Sequence, residues 1–238
     1  MRLDKMLANM GFGSRKDVRK MIKKGYVTVN GEVIRDQTKH INHEHDVVQV
    51  NDETVTYQKY IYLMMNKPPE YVSATKDAFE NTVIDLLPYE YQLFDPFPVG
   101  RLDKDTVGLL LITNDGQLAH QLTSPKKGIE KTYFAKITGQ ITSTHIEQFQ
   151  RGITLDDGYE TKPAQLQVLK SAEISEVELT ITEGKFHQVK RMFLALGKKV
   201  IYLKRIRMGE IVLDESLPQG AVRELTEKEY AYCQSLRS

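Results

Sequence analysis

The chain has 238 residues, 40% hydrophobic and 27% charged, with a formal net charge of +1, which suits a soluble globular protein of one large or two unequal domains. No apolar run approaches the roughly 20 residues of a membrane span, and the N-terminus MRLDKMLANMGFGSRK lacks a secretory apolar stretch, so a cytoplasmic location is expected. A single cysteine, Cys233, excludes an internal disulfide and a cysteine-rich metal site, and reads as a bystander thiol.

Charge is unevenly placed. Residues 1–24 carry Arg2, Lys5, Arg15, Lys16, Arg19, Lys20, Lys23 and Lys24 against Asp4 and Asp17, a local excess expected of a polyanion-binding surface. Residues 3–10 predict a short helix with Leu3, Met6, Leu7 and Met10 on one side, stopped by Gly11 and Gly13. A second helix starts at the N-cap Ser14, with Asp17 in a capping-box position; Val18, Met21 and Ile22 form its apolar face and Gly25 ends it. On the other face Arg15, Arg19 and Lys23 repeat at i, i+4, i+8, beside a column of Lys16, Lys20 and Lys24. Like charges so spaced destabilise an isolated helix, which favours a phosphate partner over a merely solvated face. Residues 26–29 and 32–34 flank Asn30-Gly31, a strong hairpin signal. Strand pieces follow at 47–50 and 54–57, and the polar Gln58-Lys59 stretch sets a boundary between a domain of residues 1–58 and one of residues 59–238.

Beyond it, residues 60–65, Val99, 109–113, 131–137, 166–170, 177–182 and 200–206 read as strands, and 117–123 and 186–196 as helices. The last helix carries Val189, Met192, Phe193 and Leu196 at helical spacing, with Lys190 and Arg191 between them. Strands outnumber helices and no βαβ repeat is seen, which predicts an α+β fold with a mixed, mostly antiparallel sheet.

The stretch VGRLDKDTVGLLLITNDG, residues 99–116, sets Asp103 on a glycine-bounded turn directly before a fully apolar strand. A carboxylate at such a strand edge needs a cation or hydrogen bonds to hold its charge, as catalytic carboxylates do; the plainer reading is that Asp103 or Asp105 caps the turn. Glycine-rich nucleotide loops, G-x-S-x-G and H-E-x-x-H are absent from the sequence. His40, His43 and His45 beside Glu44 and Asp46 fit no tetrahedral metal spacing and read as a polar turn. Alone, Tyr133 would be an ordinary strand aromatic and Lys190 part of a solvated helix face.

Two resemblances change the weight of these residues. RLDKMLANMGFGSRKDVRKMIKKGYVTVNGEVI is similar to the S4 domain, an RNA-binding module that presents two helices to RNA. It implies RNA contacts by Lys5, Ser14, Arg15, Lys16, Arg19, Lys20 and Lys23. Residues 60–230 resemble the pseudouridine synthase family, in the branch acting on single uridines of ribosomal RNA, through LMMNKPPEYVSAT, VGRLDKDTVGLLLITNDGQLAHQLTSP, EKTYFAKI, EGKFHQVKRMFLALGKKV and LKRIRMG. By position, the resemblance makes Asp103 the catalytic aspartate, Tyr133 the tyrosine beside the target base and Lys190 the cation paired with the aspartate. EKTY and Gln188-Val189-Lys190 look most like the 16S (small-subunit) enzymes. A large-subunit synthase of the same branch and a non-catalytic S4 protein are the alternatives. Glu70 stands where the family has a glycine after Lys67-Pro68-x.

The implied reaction exchanges an N–C for a C–C glycosidic bond with no net redox change and no imported group, so no cofactor is expected. The expected partner is 16S ribosomal RNA or a small-subunit assembly intermediate, bound by a monomer. A base inside folded RNA must be flipped out, at a few kcal/mol, and phosphate contacts must supply that. Arg101, Lys104, Lys126, Lys127, Arg191, Lys204, Arg205 and Arg207 are the candidates in the larger domain.

Overall fold

Asn30 and Gly31 both take positive φ, 54° and 81°, in the computed structural model, which describes residues 1–236. That backbone suits a tight two-residue hairpin, here joining β1 (Val27–Val29) to β2 (Glu32–Val33). A second left-handed pair, Asn51 and Asp52, joins β3 (Val48–Val50) to β4 (Glu53–Thr54). The four strands form an antiparallel sheet in the order β2-β1-β3-β4. β4 is shorter than the expected strand at 54–57: beyond Thr54 only the Val55 N–H reaches across, to the Val48 carbonyl.

Helices α1 (Leu3–Asn9) and α2 (Arg15–Lys24) join this sheet around one core of Leu3, Met6, Leu7, Val18, Ile22 and the inward valines of β1 and β3. The start of α2 follows its sequence signal: the Ser14 hydroxyl accepts the Asp17 N–H, donates in turn to the Asp17 carboxylate, and Gly25 ends the helix at φ 83°. Residues 88–96, holding the short helix α3 (Tyr89–Gln92), fold with residues 1–61 as one compact unit.

The second unit, residues 62–87 and 97 onward, is built on a nine-stranded sheet. Its strands are β5 (Tyr62–Lys67), β6 (Phe97–Pro98), β7 (Val107–Thr113), β8 (Lys131–Thr138), β9 (Gln165–Lys170), β10 (Ile174–Ile181), β11 (Val200–Met208), β12 (Ile211–Val212) and β13 (Val222–Glu224). The main order is β13-β5-β7-β11-β8-β10-β9, with β6 on β7 and β12 on β11; only β7 and β11 run parallel, so the sheet is mixed and mostly antiparallel. Helices α4 (Gly116–Thr123), α5 (Ser143–Arg151), α6 (Gln188–Ala195) and α7 (Glu227–Ser235) accompany it. All seven residues of β7 are buried, as its unbroken apolar run requires of a strand covered on both faces; Leu109 and Leu111 pack with Leu118 and Leu122 of α4 and Cys233 of α7. Burial pushes the Cys233 thiol up to about 12, in keeping with an inert core residue.

Several boundaries move from the sequence expectation. β5 starts two residues later and carries the polar Asn66 and Lys67 inward. Val99 lies just outside β6, its side chain buried and its N–H donating to the Leu111 carbonyl at 2.7 Å. The helix expected at 186–196 starts at Gln188, because His187 adopts the left-handed conformation (φ 49°).

Gly108 fixes how β7 meets β11. It pairs with Arg205 at φ 98°, and a Cβ there would stand 2.4 Å from the Arg205 carbonyl oxygen, so any side chain would force the two strands to shift.

Candidate active site

Asp103 sits in the loop from β6 to β7, and that loop is held from beneath by a buried cation. The Lys67 side chain, fully shielded from solvent at the end of β5, donates to the carbonyls of Pro68 (3.0 Å), Lys104 (3.1 Å) and Thr106 (3.0 Å). Burial lowers its pKa to about 8, against the opposing pull of Asp105 and Asp103. Ser73 braces the loop's other side, exchanging hydrogen bonds with the N–H and carbonyl of Leu102. The Thr106 N–H closes a turn onto the Asp103 carbonyl at 3.0 Å, so the backbone reading of this motif as a turn holds alongside the half-buried carboxylate.

Glu70 keeps the backbone that a glycine would supply: its φ is 69°, and its N–H donates to the Lys104 carbonyl at 3.0 Å. A non-glycine residue in that region costs roughly 1 kcal/mol. The Glu70 carboxylate in return lies 3.7 Å from Lys104, which pairs more closely with Glu80 at 2.8 Å.

Helix α6 delivers the second half of the site. Lys190 stands 3.1 Å from Asp103 and 2.6 Å from Asp105, bridging the two carboxylates. Burial alone would lower the Lys190 pKa, but hydrogen bonds to Asp105 and Asp103 outweigh it and raise it. For Asp105 burial acts upward and is outweighed by the Lys190 ammonium, so its pKa falls. His187 Nε2 approaches the other Asp103 oxygen at 3.6 Å. Tyr133 of β8, 7% exposed, lines the same small cavity of about 70 Å³ as Asp103, Lys190 and Leu203. The structure thus brings together all three residues singled out for chemistry, and adds Asp105 and His187, which the sequence reading did not assign to the site.

A buried network fixes the loop that precedes α6. Glu183, 3% exposed, accepts from the Tyr159 hydroxyl (2.7 Å), the Lys162 N–H (3.0 Å) and the Gln188 side-chain amide (2.7 Å). The Gln188 side-chain oxygen in turn accepts the Lys185 N–H at 2.8 Å. With its acceptors so occupied, the network holds His187 in its left-handed backbone beside Asp103.

The cations expected to meet phosphate divide into three groups. Arg101, Lys126 and Lys127 are exposed, as are Lys5, Lys16, Lys20 and Lys23 in the first unit, with Ser14 engaged as the α2 cap. Others are paired: Arg191 with Asp156 and Asp157, Arg207 with Glu130, Lys104 with Glu80, Arg19 and Arg15 with Asp4 at 2.8 and 3.7 Å, and the exposed Lys20 with Asp17 at 3.7 Å, while Lys204 is half-buried. Arg205 corrects the sequence reading outright. It is 2% exposed, and its Nε donates to the Leu109 carbonyl at 2.8 Å, so it serves the β7–β11 junction and offers RNA nothing.

The histidine turn is an ordinary polar one: Asp46 accepts from the Asn30 amide and the Asn42 N–H, and His43 packs edge-on to Tyr57 at 4.7 Å. No helix of the described residues is long and apolar enough to cross a membrane.

The RNA pseudouridylate synthase family profile matches residues 61–195, and the S4 domain profile residues 1–48. YtzG of Bacillus subtilis (strain 168), described as an uncharacterized RNA pseudouridine synthase, is 50% identical over 230 residues, covering 96% of each chain. Ribosomal small subunit pseudouridine synthase A of Vibrio cholerae is 46% identical, covering 97% of this chain and 98% of the relative. The protein of that name in Escherichia coli (strain K12) is 41% identical, covering 97% and 99%. A crystal structure of a pseudouridylate synthase superimposes with a TM-score of 0.68 at 38% identity over 99% of both chains.

Proposed function

The chain belongs to the RNA pseudouridylate synthase family, a family of isomerases, and from that premise we propose that it converts a single uridine of 16S ribosomal RNA to pseudouridine. The observation that carries the site is the ion pair of Asp103 with Lys190 at 3.1 Å, at the mouth of a cavity that also holds Tyr133. The reaction breaks the bond from ribose C1′ to N1 of uracil and forms one from C1′ to C5. Asp103 acts either as nucleophile or as the base that removes a ribose proton; both routes require the carboxylate, and Lys190 supplies its counter-charge. Tyr133 offers a flat face to the uracil ring and a hydroxyl for proton transfer.

The choice of 16S over 23S ribosomal RNA is supported by the two relatives named for the small subunit, matched over nearly their whole length, and by EKTY and Gln188-Val189-Lys190. The S4 unit adds affinity through the exposed lysines of α2, which flipping the target base demands. Mapping pseudouridines in ribosomal RNA from cells lacking the protein tests the assignment. One site should vanish from 16S and none from 23S; loss confined to 23S would transfer the protein to the large-subunit group.

A further inference from the structure

Asp103 opens on two spaces. Besides the small cavity with Tyr133, a groove of about 550 Å³ runs from Asp103 past Arg101 and Ser73 to Lys185, Phe186 and His187. That volume lies in the range of small-ligand sites. With the target uracil set against Tyr133, as proposed above, the groove adjoins that space, sharing Arg101, Asp103, Lys185 and His187 with it, and extends past it to Phe186.

Its walls specify an occupant. The rings of Phe186 and His187 stack at 3.8 Å with an interplanar angle of 18°, and Phe186 is 72% exposed. An exposed phenylalanine on a loop braced by buried Glu183 and Gln188 is an aromatic face set in place before anything binds it. His187 is held against Asp103 on one side and Phe186 on the other, in a backbone conformation that a histidine adopts at a cost. Most cations around the site are already paired: Lys190 with Asp103 and Asp105, Lys104 with Glu80, Arg191 with Asp156 and Asp157. Arg101 and Lys185, both on the groove, have no carboxylate within ion-pair distance among the described residues; Lys185 lies over the Tyr159 ring. A fixed aromatic face flanked by two uncompensated cations fits a nucleotide, with a flat base and an anionic phosphate.

We infer that Phe186 and His187 form a stacking platform for the nucleobase adjacent to the target uridine, with Arg101 and Lys185 on its phosphates. The inference rests on the ribosomal RNA reading above and adds how the flipped strand is held. With the neighbour stacked in the groove, the target base is aimed past Asp103 toward Tyr133. Phe186 then supplies binding energy to the strand that is the same before and during the reaction.

The test is a binding and turnover cycle on a fragment of whichever ribosomal RNA carries the modified uridine, intact or with an abasic site at the 5′ or 3′ neighbour. Phe186→Ala should bind intact RNA about tenfold more weakly, the loss of one stacked base, and leave the salt dependence of binding unchanged. KM should rise in step while kcat stays within about twofold. Phe186→Tyr and Phe186→Trp should restore affinity, and Phe186→Leu should not, because the interaction requires a π face. One abasic RNA should lose the same tenfold with the unaltered protein and no more with Phe186→Ala. Full affinity of Phe186→Ala, rescue by leucine, or additive losses would overturn the platform. Pseudouridine found only in 23S would overturn the 16S assignment instead, and the same cycle would then be read on that RNA.

Discussion

Lys190 lies closer to Asp105 (2.6 Å) than to Asp103 (3.1 Å), so the cation on the candidate catalytic carboxylate is shared with an exposed neighbour. The two acidic side chains differ in setting: that of Asp103 is 26% exposed and that of Asp105 is 70%. Their roles should separate accordingly. Lys190→Ala should lower the single-turnover rate by about a hundredfold or more, since among the described residues the other group near enough to neutralise Asp103 is the more distant His187. Lys190→Arg should stay within about tenfold of the natural enzyme, because it keeps a cation and a donor. Asp105→Asn should also cost less than about tenfold, leaving Lys190 wholly to Asp103. Equal loss in all three would mean that the pair of carboxylates acts as a unit.

On the S4 surface, the cations differ in how free they are to meet RNA. Asp4 is fully buried and accepts a bidentate pair of hydrogen bonds from Arg2 and one from Arg19 at 2.8 Å. Burial works to raise its pKa, but the Arg19 and Arg2 hydrogen bonds prevail and lower it. The exposed lysines should therefore neutralise most of the phosphates that α2 meets. Replacing Lys16, Lys20 and Lys23 by Gln should reduce the slope of log affinity against log salt by about 0.7–0.9 for each phosphate left without its lysine. An unchanged slope would mean that this face does not meet RNA.

Mild alkalinity should stabilise the fold. Burial lowers the pKa of Lys67 and of Lys131 to about 8, and in Lys131 the nearby Arg205 adds to the effect. In the unfolded chain a lysine titrates near 10.4, so between those values the unfolded state binds more protons and stability from these groups rises with pH. Urea titrations should give a larger unfolding free energy near pH 9.5 than near pH 7.5, by about 2 kcal/mol per lysine, and a correspondingly higher midpoint. Lys131→Met should remove part of that rise. A midpoint that falls steadily over the range would contradict the assignment.

Gly108→Ala should be among the most damaging small substitutions. It combines a φ of 98° with a Cβ 2.4 Å from the Arg205 carbonyl, on the strand that follows the Asp103 loop. The expected loss is roughly 3 kcal/mol of stability. Chemical denaturation measures it, and a loss below about 1 kcal/mol would mean that β7 and β11 separate easily.

Much of the fold was legible because local signals agreed with the tertiary structure. The Asn30-Gly31 turn, the Ser14 cap and the apolar run of β7 each have a physical cause within a few residues. Helix α7 carries a local sequence signal too, the Thr226 and Glu229 capping box. Helix α5 shows only Phe149 buried, too little apolar periodicity to announce itself. For Arg205 charge suggests an outward position, whereas its place on β11 points inward and its Nε is satisfied by a backbone carbonyl. In the site, Asp103, Tyr133 and Lys190 were found through motifs. Asp105 and His187 were not: whether each reaches the shared cation or the carboxylate depends on how α6 meets the loop, a non-local matter.

The catalytic role of Asp103 is tested most directly by incubating the purified protein and its Asp103→Asn variant with unmodified 16S and 23S ribosomal RNA, followed by carbodiimide labelling and primer extension. The predicted result is one pseudouridine in 16S with the natural protein, none in 23S, and none in either RNA with Asp103→Asn, which should still bind 16S with near-normal affinity. Pseudouridine formation by a clean Asp103→Asn preparation would contradict the assignment of the carboxylate.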